Sequence, residues 1–128
     1  MQTAIVTGPS RGIGRAIALK LADLQYNLTI SGRSIQDLER LKSEIEKHGG
    51  SCLAIEADLA LEHSPEKIAE LCVSHFGQID VPVNNAGMSY SGPVLETDME
   101  TWDRVHAVNA RAPFFLRRAA IPYLKKSS

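Results

Sequence analysis

The stretch Thr7-Gly8-Pro9-Ser10-Arg11-Gly12-Ile13-Gly14 decides the fold of this chain. It follows a short apolar run and leads into a segment whose apolar residues recur at helical spacing. Its glycines allow a tight turn, let a ligand approach the main chain, and let the helix pack close to the strand. The N–H groups at the start of that helix, with their partial positive charge, favour phosphate. A glycine-rich turn between strand and helix therefore predicts a dinucleotide-binding site.

Four apolar runs alternate with helical patterns along the chain. The predicted strands are Thr3 to Thr7, Asn27 to Ile30, Cys52 to Ala57 and Ile79 to Val83. Such alternation predicts an α/β fold of the Rossmann type, with three α/β/α layers around a parallel sheet of strand order 3-2-1-4. We expect the later strands of the full arrangement to be lacking, so that residues 1–128 form a single truncated dinucleotide-binding domain.

Two capping-box patterns predict where helices begin, because a hydroxyl can accept the backbone N–H three residues further on. These patterns are Ser34 with Asp37 and Thr97 with Glu100. We expect the helix that Thr97 opens to run to about Lys125.

Pro113 lies inside this last helix, four residues after Asn109. It has no N–H with which to bond the Asn109 carbonyl. We expect a kinked helix in which that carbonyl takes another partner, most simply a water. A plain proline kink without such a partner is the alternative.

The end of the second strand indicates the cofactor. NAD-binding domains usually place Asp or Glu there to bind the ribose hydroxyls, whereas this chain has Ser31, Gly32, Arg33 and Ser34. The Arg33 guanidinium can bind the 2′-phosphate of NADP in a bidentate way, and Arg11 can add a second positive charge from the turn. We therefore expect NADP(H) rather than NAD(H), with two solvated surface arginines as the alternative.

Several motifs together resemble the short-chain dehydrogenase/reductase family, in its N-terminal portion. They are the glycine-rich turn, Asp58, Asn84-Asn85-Ala86-Gly87, and Asn109 after Val108. The resemblance implies that Asp58 bonds the adenine amino group and that Asn85, Ala86 and Gly87 line the cofactor. It also implies that Asn109 is the asparagine of the family's catalytic tetrad, acting through a water in a proton relay to a lysine. A 3-oxoacyl carrier-protein reductase-like branch is open.

The family's hydride chemistry needs a serine and a Tyr-x-x-x-Lys pair, in which the lysine lowers the pKa of the tyrosine. None of Tyr26, Tyr90 and Tyr123 is followed four residues later by lysine. We expect the parent protein to be an NADP(H)-dependent oxidoreductase that reduces a carbonyl or oxidises an alcohol by hydride transfer. These 128 residues are then an inactive portion of it. The alternative is a non-catalytic dinucleotide-binding or subunit-association module.

The last helix carries more apolar side chains than one face of a sheet can cover. They are Trp102, Val105, Phe114, Phe115, Leu116, Ile121 and Leu124. An uncovered patch promotes association, and the family resemblance implies a four-helix subunit interface, so we expect a homo-oligomer through this helix. Ketoacyl thioesters, sugars, steroids and small ketones are all open as substrates.

Pro82 departs from the family pattern, which usually has an aliphatic residue inside the fourth strand. A proline there removes one hydrogen-bond donor from the ladder. At the edge of a sheet the missing N–H can face outward at little cost. We expect the Pro82 nitrogen to face the open side of the strand.

Composition excludes several other classes of protein. A formal net charge of -1 gives no reason to expect nucleic acid or an anionic membrane as partner. No apolar run is long enough to span a membrane, and the N-terminus shows no signal peptide. The two cysteines, Cys52 and Cys72, and the four histidines do not show the spacing of metal ligands. We expect a cytoplasmic protein without a metal site.

Overall fold

The computed structural model describes residues 1–126. The strands are β1 (Thr3–Thr7), β2 (Asn27–Gly32), β3 (Cys52–Glu56) and β4 (Val81–Val83). The helices are α1 (Gly12–Asp23), α2 (Ile35–Lys47), α3 (Ser64–Phe76), α4 (Met99–His106) and α5 (Ala112–Leu124). A 3-10 turn (Val94–Glu96) precedes α4, and a π-helical segment (Ala107–Arg111) joins α4 to α5. The four predicted strands are present, with ends shifted by one or two residues.

The four strands form one parallel sheet in the order β3-β2-β1-β4, as predicted. Thr7 at the end of β1 stands opposite Ser31 of β2, and Gly32 of β2 stands opposite Glu56 of β3. Because parallel strands point the same way, their carboxyl ends meet at one edge of the sheet. The glycine-rich turn, Arg33, Asp58 and the loop after β4 therefore converge at that edge.

Helices cover both faces of the sheet. On one face α1 and α2 pack through buried Ala18, Ala22, Leu38, Leu41 and Ile45. On the other face α3 and α5 pack through buried Ile68, Ala69, Cys72, Leu116 and Ala120. Within β1, Ala4 and Val6 belong to the first core and Ile5 to the second, as the alternation of side chains along a strand requires. The predicted three-layer arrangement is confirmed.

Helix α2 begins as its capping pattern predicts. The Ser34 hydroxyl accepts the Asp37 N–H at 3.3 Å. The Arg15 guanidinium of α1 donates to the Glu44 carboxylate of α2, and the two side chains form an ion pair. The Arg15–Glu44 pair joins α1 and α2 within one layer.

The predicted cap at Thr97 is wrong by one residue. The Asp98 carboxylate accepts the Thr101 N–H at 2.8 Å, and α4 begins at Met99. The Thr97 hydroxyl instead donates to the Pro93 carbonyl at 3.0 Å, beside the 3-10 turn. Asp98 caps because its carboxylate carries the charge that a helix N-terminus favours.

The helical path widens ahead of Pro113. Over Ala107–Arg111 the backbone is π-helical, and the Ala112 N–H donates to the Ala107 carbonyl, five residues back. A proline crowds the carbonyl four residues before it, and a wider turn relieves that crowding. The predicted kink therefore takes the form of a π-helical segment with Asn109 at its centre. The role expected of the Asn109 carbonyl stays a prediction.

The ladder between β1 and β4 runs through Pro82 without a break. Pro82 stands opposite Ile5, between the pairs Ala4 with Val81 and Val6 with Val83. Successive residues of a parallel strand bond to alternate sides, and proline has no N–H. The bonds to β1 must then come from Val81 and Val83, so the Pro82 nitrogen faces away from β1, as expected.

Candidate dinucleotide-binding site

A groove of about 820 Å³ runs along the carboxyl ends of the strands. Predicted residues that line it are Gly8, Ser10, Arg11, Gly12, Ile13, Arg33, Asp58, Asn85, Ala86 and Gly87. Thr7 and Gly14 lie beneath it and are buried. Asn109 lines an adjoining cavity of about 620 Å³. The fold thus gathers residues from four loops into one open channel.

The N-terminus of α1 faces this groove with its N–H groups unused by side chains. Arg11 is the N-cap and forms no side-chain cap, and the first turn holds no acidic residue. An uncapped N-terminus without a neighbouring acid is suited to binding an anion. Gly12, at φ +60°, would direct a Cβ into space with no atom within 4 Å. The turn therefore presents bare backbone to the groove.

The loop after β4 is fastened to the glycine-rich turn. The Thr7 hydroxyl accepts the N–H groups of Asn85 and Ala86 at 3.2 and 3.1 Å. The Asn85 side-chain amide donates to the Gly8 carbonyl at 2.8 Å. The Thr7 hydroxyl and the Asn85 side-chain amide thus hold two walls of the groove together.

Gly14 lies where this junction is tightest. A Cβ at this position would overlap the Asn85 amide and the Gly8 carbonyl. The close approach lets α1 pack against the loop after β4. Gly14 is therefore required by packing, while Gly12 is required by its positive φ.

Arg11 and Arg33 bring positive charge to one end of the groove. Within residues 1–126 the guanidinium of neither arginine forms an ion pair or a hydrogen bond. Among the described residues that line the groove, Asp58 has the sole acidic side chain. This end of the groove is therefore suited to an anionic group.

Asp58 is held by a residue that the sequence analysis missed. Its carboxylate accepts the Ala60 N–H at 2.9 Å and three contacts from the Arg104 guanidinium at 3.2 to 3.3 Å. The pKa of the Asp58 carboxyl lies below its ordinary value, chiefly because of the Ala60 N–H. The hydrogen bond and charge of Arg104 and the charge of Arg33 lower it further, while burial opposes them.

Asn109 holds the loop after β4 through its side chain. Its amide donates to the Met88 carbonyl at 2.6 Å, and its side-chain oxygen accepts the Met88 N–H at 2.8 Å. The side-chain amide thus bonds both the N–H and the carbonyl of one residue, as the backbone of a neighbouring strand would. Asn109 therefore connects the π-helical segment to the end of the groove.

Eight residues that line the groove were not predicted as site residues: Ser31, Gly32, Ala57, Leu59, Met88, Ser89, Arg104 and Val108. Arg104 lies 46 residues from Asp58, and no local spacing rule links positions so far apart. The Ser31 hydroxyl is buried at the groove, with no hydrogen-bond partner within the described residues. Ser31 lies two residues before Arg33 at the end of β2, and this position was the signal that could have predicted it.

Two absences hold for the part of the chain that the structure describes. No cluster of three His, Cys, Asp or Glu side chains there could hold a metal ion. None of its helices has the length and apolar character needed to cross a membrane.

Sequence comparison places this chain among known proteins. A family model described as short chain dehydrogenase matches residues 2–128. The short-chain dehydrogenase/reductase FrzI of Cladobotryum sp is 39% identical over 124 residues, which cover 96% of this chain and 48% of the relative. The chain thus spans about half the length of the curated relatives it matches.

Solved structures show the same partial coverage. A metagenomic short-chain oxidoreductase in complex with NADP has a TM-score of 0.93 at 36% identity, over 98% of this chain and 57% of the other. A blue fluorescent protein from a metagenomic library, in complex with NADPH, has a TM-score of 0.90 at 35% identity, over 94% and 50%. The four-stranded arrangement described above matches about half of each structure.

Proposed function

This chain belongs to the short-chain dehydrogenase/reductase family, and we propose that its groove binds NADP(H) for an oxidoreductase. The parent protein would reduce a carbonyl or oxidise an alcohol in a small-molecule substrate. When bound, the nicotinamide ring would supply or accept the hydride. Two related proteins whose structures were solved in complex with NADP or NADPH support this choice of cofactor.

The pair of arginines at the end of the groove carries the proposal. Arg33 follows β2, where a ribose-binding acid would favour NAD, and Arg11, at the N-cap position of α1, lines the same groove. A guanidinium that forms no ion pair within residues 1–126 can pair with the 2′-phosphate through two parallel hydrogen bonds. NADH lacks that phosphate and would leave both charges unpaired.

The groove also has the features that a dinucleotide requires. The bare backbone at Gly12 would let a pyrophosphate reach the N–H groups of α1, and a Cβ there would stand in its way. The buried Ser31 hydroxyl, unpaired within the described residues, would gain a partner from the adenosine half. We therefore assign the adenosine half to the Arg33 end and the nicotinamide half to the end near Asn109.

These 128 residues should bind the cofactor without turning it over. The sequence holds no Tyr-x-x-x-Lys to move the proton that accompanies the hydride. Asn109 would hold the nicotinamide end of the groove in place through Met88. An assay for NADPH oxidation with a carbonyl substrate is expected to show no activity above background.

The first test is cofactor preference in Arg33→Asp. Titration calorimetry should show that the unaltered protein binds NADPH more tightly than NADH, because only NADPH carries the 2′-phosphate. Loss of the charge-assisted pair should weaken NADPH binding roughly 10- to 100-fold, with a smaller change for NADH.

Arg40→Asp is the matched control for that test. Arg40 is an exposed arginine of α2 that pairs with Asp37 and lies outside the groove. Its replacement by Asp changes the net charge by the same amount as Arg33→Asp. It should leave the preference for NADPH unchanged. Equal binding of NADPH by Arg33→Asp and the unaltered protein would reject the assignment of Arg33.

A second candidate function, subunit association, rests on exposed apolar side chains. Phe114 and Ile121 are 58% and 42% exposed and lie seven residues apart, on one side of α5. Trp102 of α4 is 56% exposed and stacks on His106. We propose that this surface joins copies of the chain, whether or not the dinucleotide is bound.

A further inference from the structure

A second, open cavity of about 620 Å³ lies beside the dinucleotide groove. The residues that line both spaces form the boundary between them: Ala86, Gly87, Met88 and Ser89. Asn109 lines the cavity at the end of the groove that we assign to the nicotinamide half. The volume lies within the range of about 300 to 1,000 Å³ that is usual for small-molecule sites. A molecule in this cavity would therefore touch the nicotinamide end of a bound dinucleotide.

The helical path from the π-helical segment into α5 forms one wall of the cavity. Asn109, Pro113 and Arg117 line it, each four residues after the one before. Two turns of α-helix take about seven residues, and a wider π-helical turn adds about one more. Arg117 therefore stands on the same side of the helical path as Asn109, two turns further on. The π-helical segment thus brings a charged side chain to the cavity.

The Arg117 guanidinium has no partner in the part of the chain that the structure describes. It forms no ion pair and no hydrogen bond within residues 1–126. The neighbouring Arg118 differs, because its guanidinium lies 5.7 Å from the centre of the Phe115 ring and it does not line the cavity. Among the described residues that line the cavity, Arg117 carries the sole charge.

Two neutral polar side chains line the cavity together with Arg117. They are the Asn84 amide, directly after β4, and the Ser89 hydroxyl, and neither forms a hydrogen bond within residues 1–126. The Asn109 side chain is already engaged, because its amide and its oxygen both bond Met88. An amide and a hydroxyl can each donate to an anionic oxygen. The cavity therefore offers one cation and two neutral donors to a ligand.

We propose that this cavity binds the substrate through an anionic group, a carboxylate or a phosphate, which Arg117 holds. The inference rests on the proposed function and deepens it by naming the class of substrate: a carbonyl compound or alcohol that carries an acidic group. The planar fork of a guanidinium matches two oxygens of a carboxylate or phosphate. Hydride transfer needs the reacting carbon about 3 to 3.5 Å from the nicotinamide ring. An anion held by Arg117 would leave that carbon at the boundary with the groove, near Met88.

Arg117 is in this proposal a specificity-determining residue, with no part in moving the proton or the hydride. A neutral ketone would fill the same space but leave the guanidinium without a partner. The anionic substrate gains a charge-assisted contact that the neutral one lacks, so the two differ in affinity and not in reactivity. This difference can be measured by binding alone.

The experiment uses the 128-residue chain saturated with NADP⁺, so that Arg11 and Arg33 are occupied and Arg117 is left as the free cation. The probes are three small ketones: acetoacetate with a carboxylate, 2-oxopropylphosphonate with a phosphonate, and the neutral methyl acetoacetate. NMR titration follows the Arg117 Nε–H and the Asn84 side-chain amide and gives the affinity of each probe. Thermal melts establish that each variant is folded.

We expect both anions to shift the Arg117 and Asn84 signals and to bind at least about tenfold more tightly than methyl acetoacetate. Arg117→Met should remove this advantage, and Arg117→Lys, which keeps the charge without the fork, should retain part of it. Arg118→Met removes the same charge outside the cavity and should leave both affinities unchanged. The tighter of the two anions identifies the acidic group as a carboxylate or a phosphate, and either result supports the inference.

Three results would overturn the inference alone. The first is equal affinity for acetoacetate and methyl acetoacetate, and the second is binding of NADP⁺ without binding of any probe. The third is an equal loss of anion affinity in Arg118→Met and Arg117→Met, because the anions would then respond to the general charge of α5. Failure of the chain to bind NADP⁺ would instead overturn the proposed function, and the inference with it.

Discussion

Individual atoms at the glycine-rich turn determine how closely the walls of the groove meet. Gly14 is buried, and an added Cβ would overlap both the Asn85 amide and the Gly8 carbonyl. Gly12 has a positive φ but open space around the position of its Cβ. The two glycines therefore serve different physical needs within one motif.

This difference predicts different costs for two alanine substitutions. Gly14→Ala should lower the free energy of unfolding by about 2 to 3 kcal/mol, because overpacking would force α1 away from the loop after β4. Gly12→Ala should cost about 1 kcal/mol, through its left-handed backbone alone. Urea unfolding measures both values. A Gly14→Ala protein as stable as Gly12→Ala would contradict the packing argument.

At the scale of elements, the start of α4 shows how neighbouring polar residues compete for one role. Thr97 and Asp98 both have side chains that can cap a helix, and the pattern Thr97 with Glu100 favoured the first. In the structure Asp98 accepts the Thr101 N–H, and Thr97 bonds back to the Pro93 carbonyl. The 3-10 turn before α4 thus occupies the threonine and leaves the cap to aspartate.

Replacing each residue by alanine should reveal which one caps the helix. Asp98→Ala should lower the melting temperature more than Thr97→Ala, because only the first exposes an unpaired helix N–H. The bond from Thr101 lowers the pKa of the Asp98 carboxyl, so its stabilisation is present at neutral pH and lost as the pH falls through that pKa. Thermal melts at pH 7 and pH 3 test this. A larger loss in Thr97→Ala would restore the original capping prediction.

The π-helical segment connects two loops at the groove through side-chain hydrogen bonds. It places Asn109 against Met88, which lines the groove, and Arg111 against the Ala60 carbonyl in the loop after β3. Pro113 signalled a disturbance of the helix, but the number of residues per turn depends on what the helix packs against. The helix therefore continues through a wider π-helical turn and does not break before Pro113.

At the scale of the whole molecule, Trp102 of α4 and Phe114 and Ile121 of α5 are exposed apolar side chains within residues 1–126. We expect the protein to associate through them in a concentration-dependent way. Phe114→Glu should weaken self-association at least about tenfold, because it would bury a charge at the centre of the contact. Light scattering after gel filtration over a range of concentrations measures the change.

Leu24→Glu is the matched control for this prediction. Leu24 is 57% exposed, close to the value for Phe114, but follows α1 in the layer on the opposite face of the sheet. It should leave the molecular mass unchanged. A protein that is monomeric at every concentration, or one that both substitutions dissociate, would reject the proposed surface.

The amino-acid sequence by itself determined the strand order and the location of most groove residues. The glycine-rich turn, the four apolar runs and Arg33 are local signals, and parallel connectivity carries each of them to one edge of the sheet. Local hydrophobic patterns and turn chemistry leave few alternative arrangements, so the sheet and its two helical layers followed from them.

Tertiary structure alone decided the contacts between residues far apart in the chain. The Arg104 contact with Asp58, the hold of Asn109 on Met88 and the bond from Asn85 to Gly8 join positions from 21 to 77 residues apart. Such contacts depend on how the helices pack against the sheet, and no periodicity records them. The sequence by itself thus places the backbone around the groove, while packing decides which side chains hold that backbone in place.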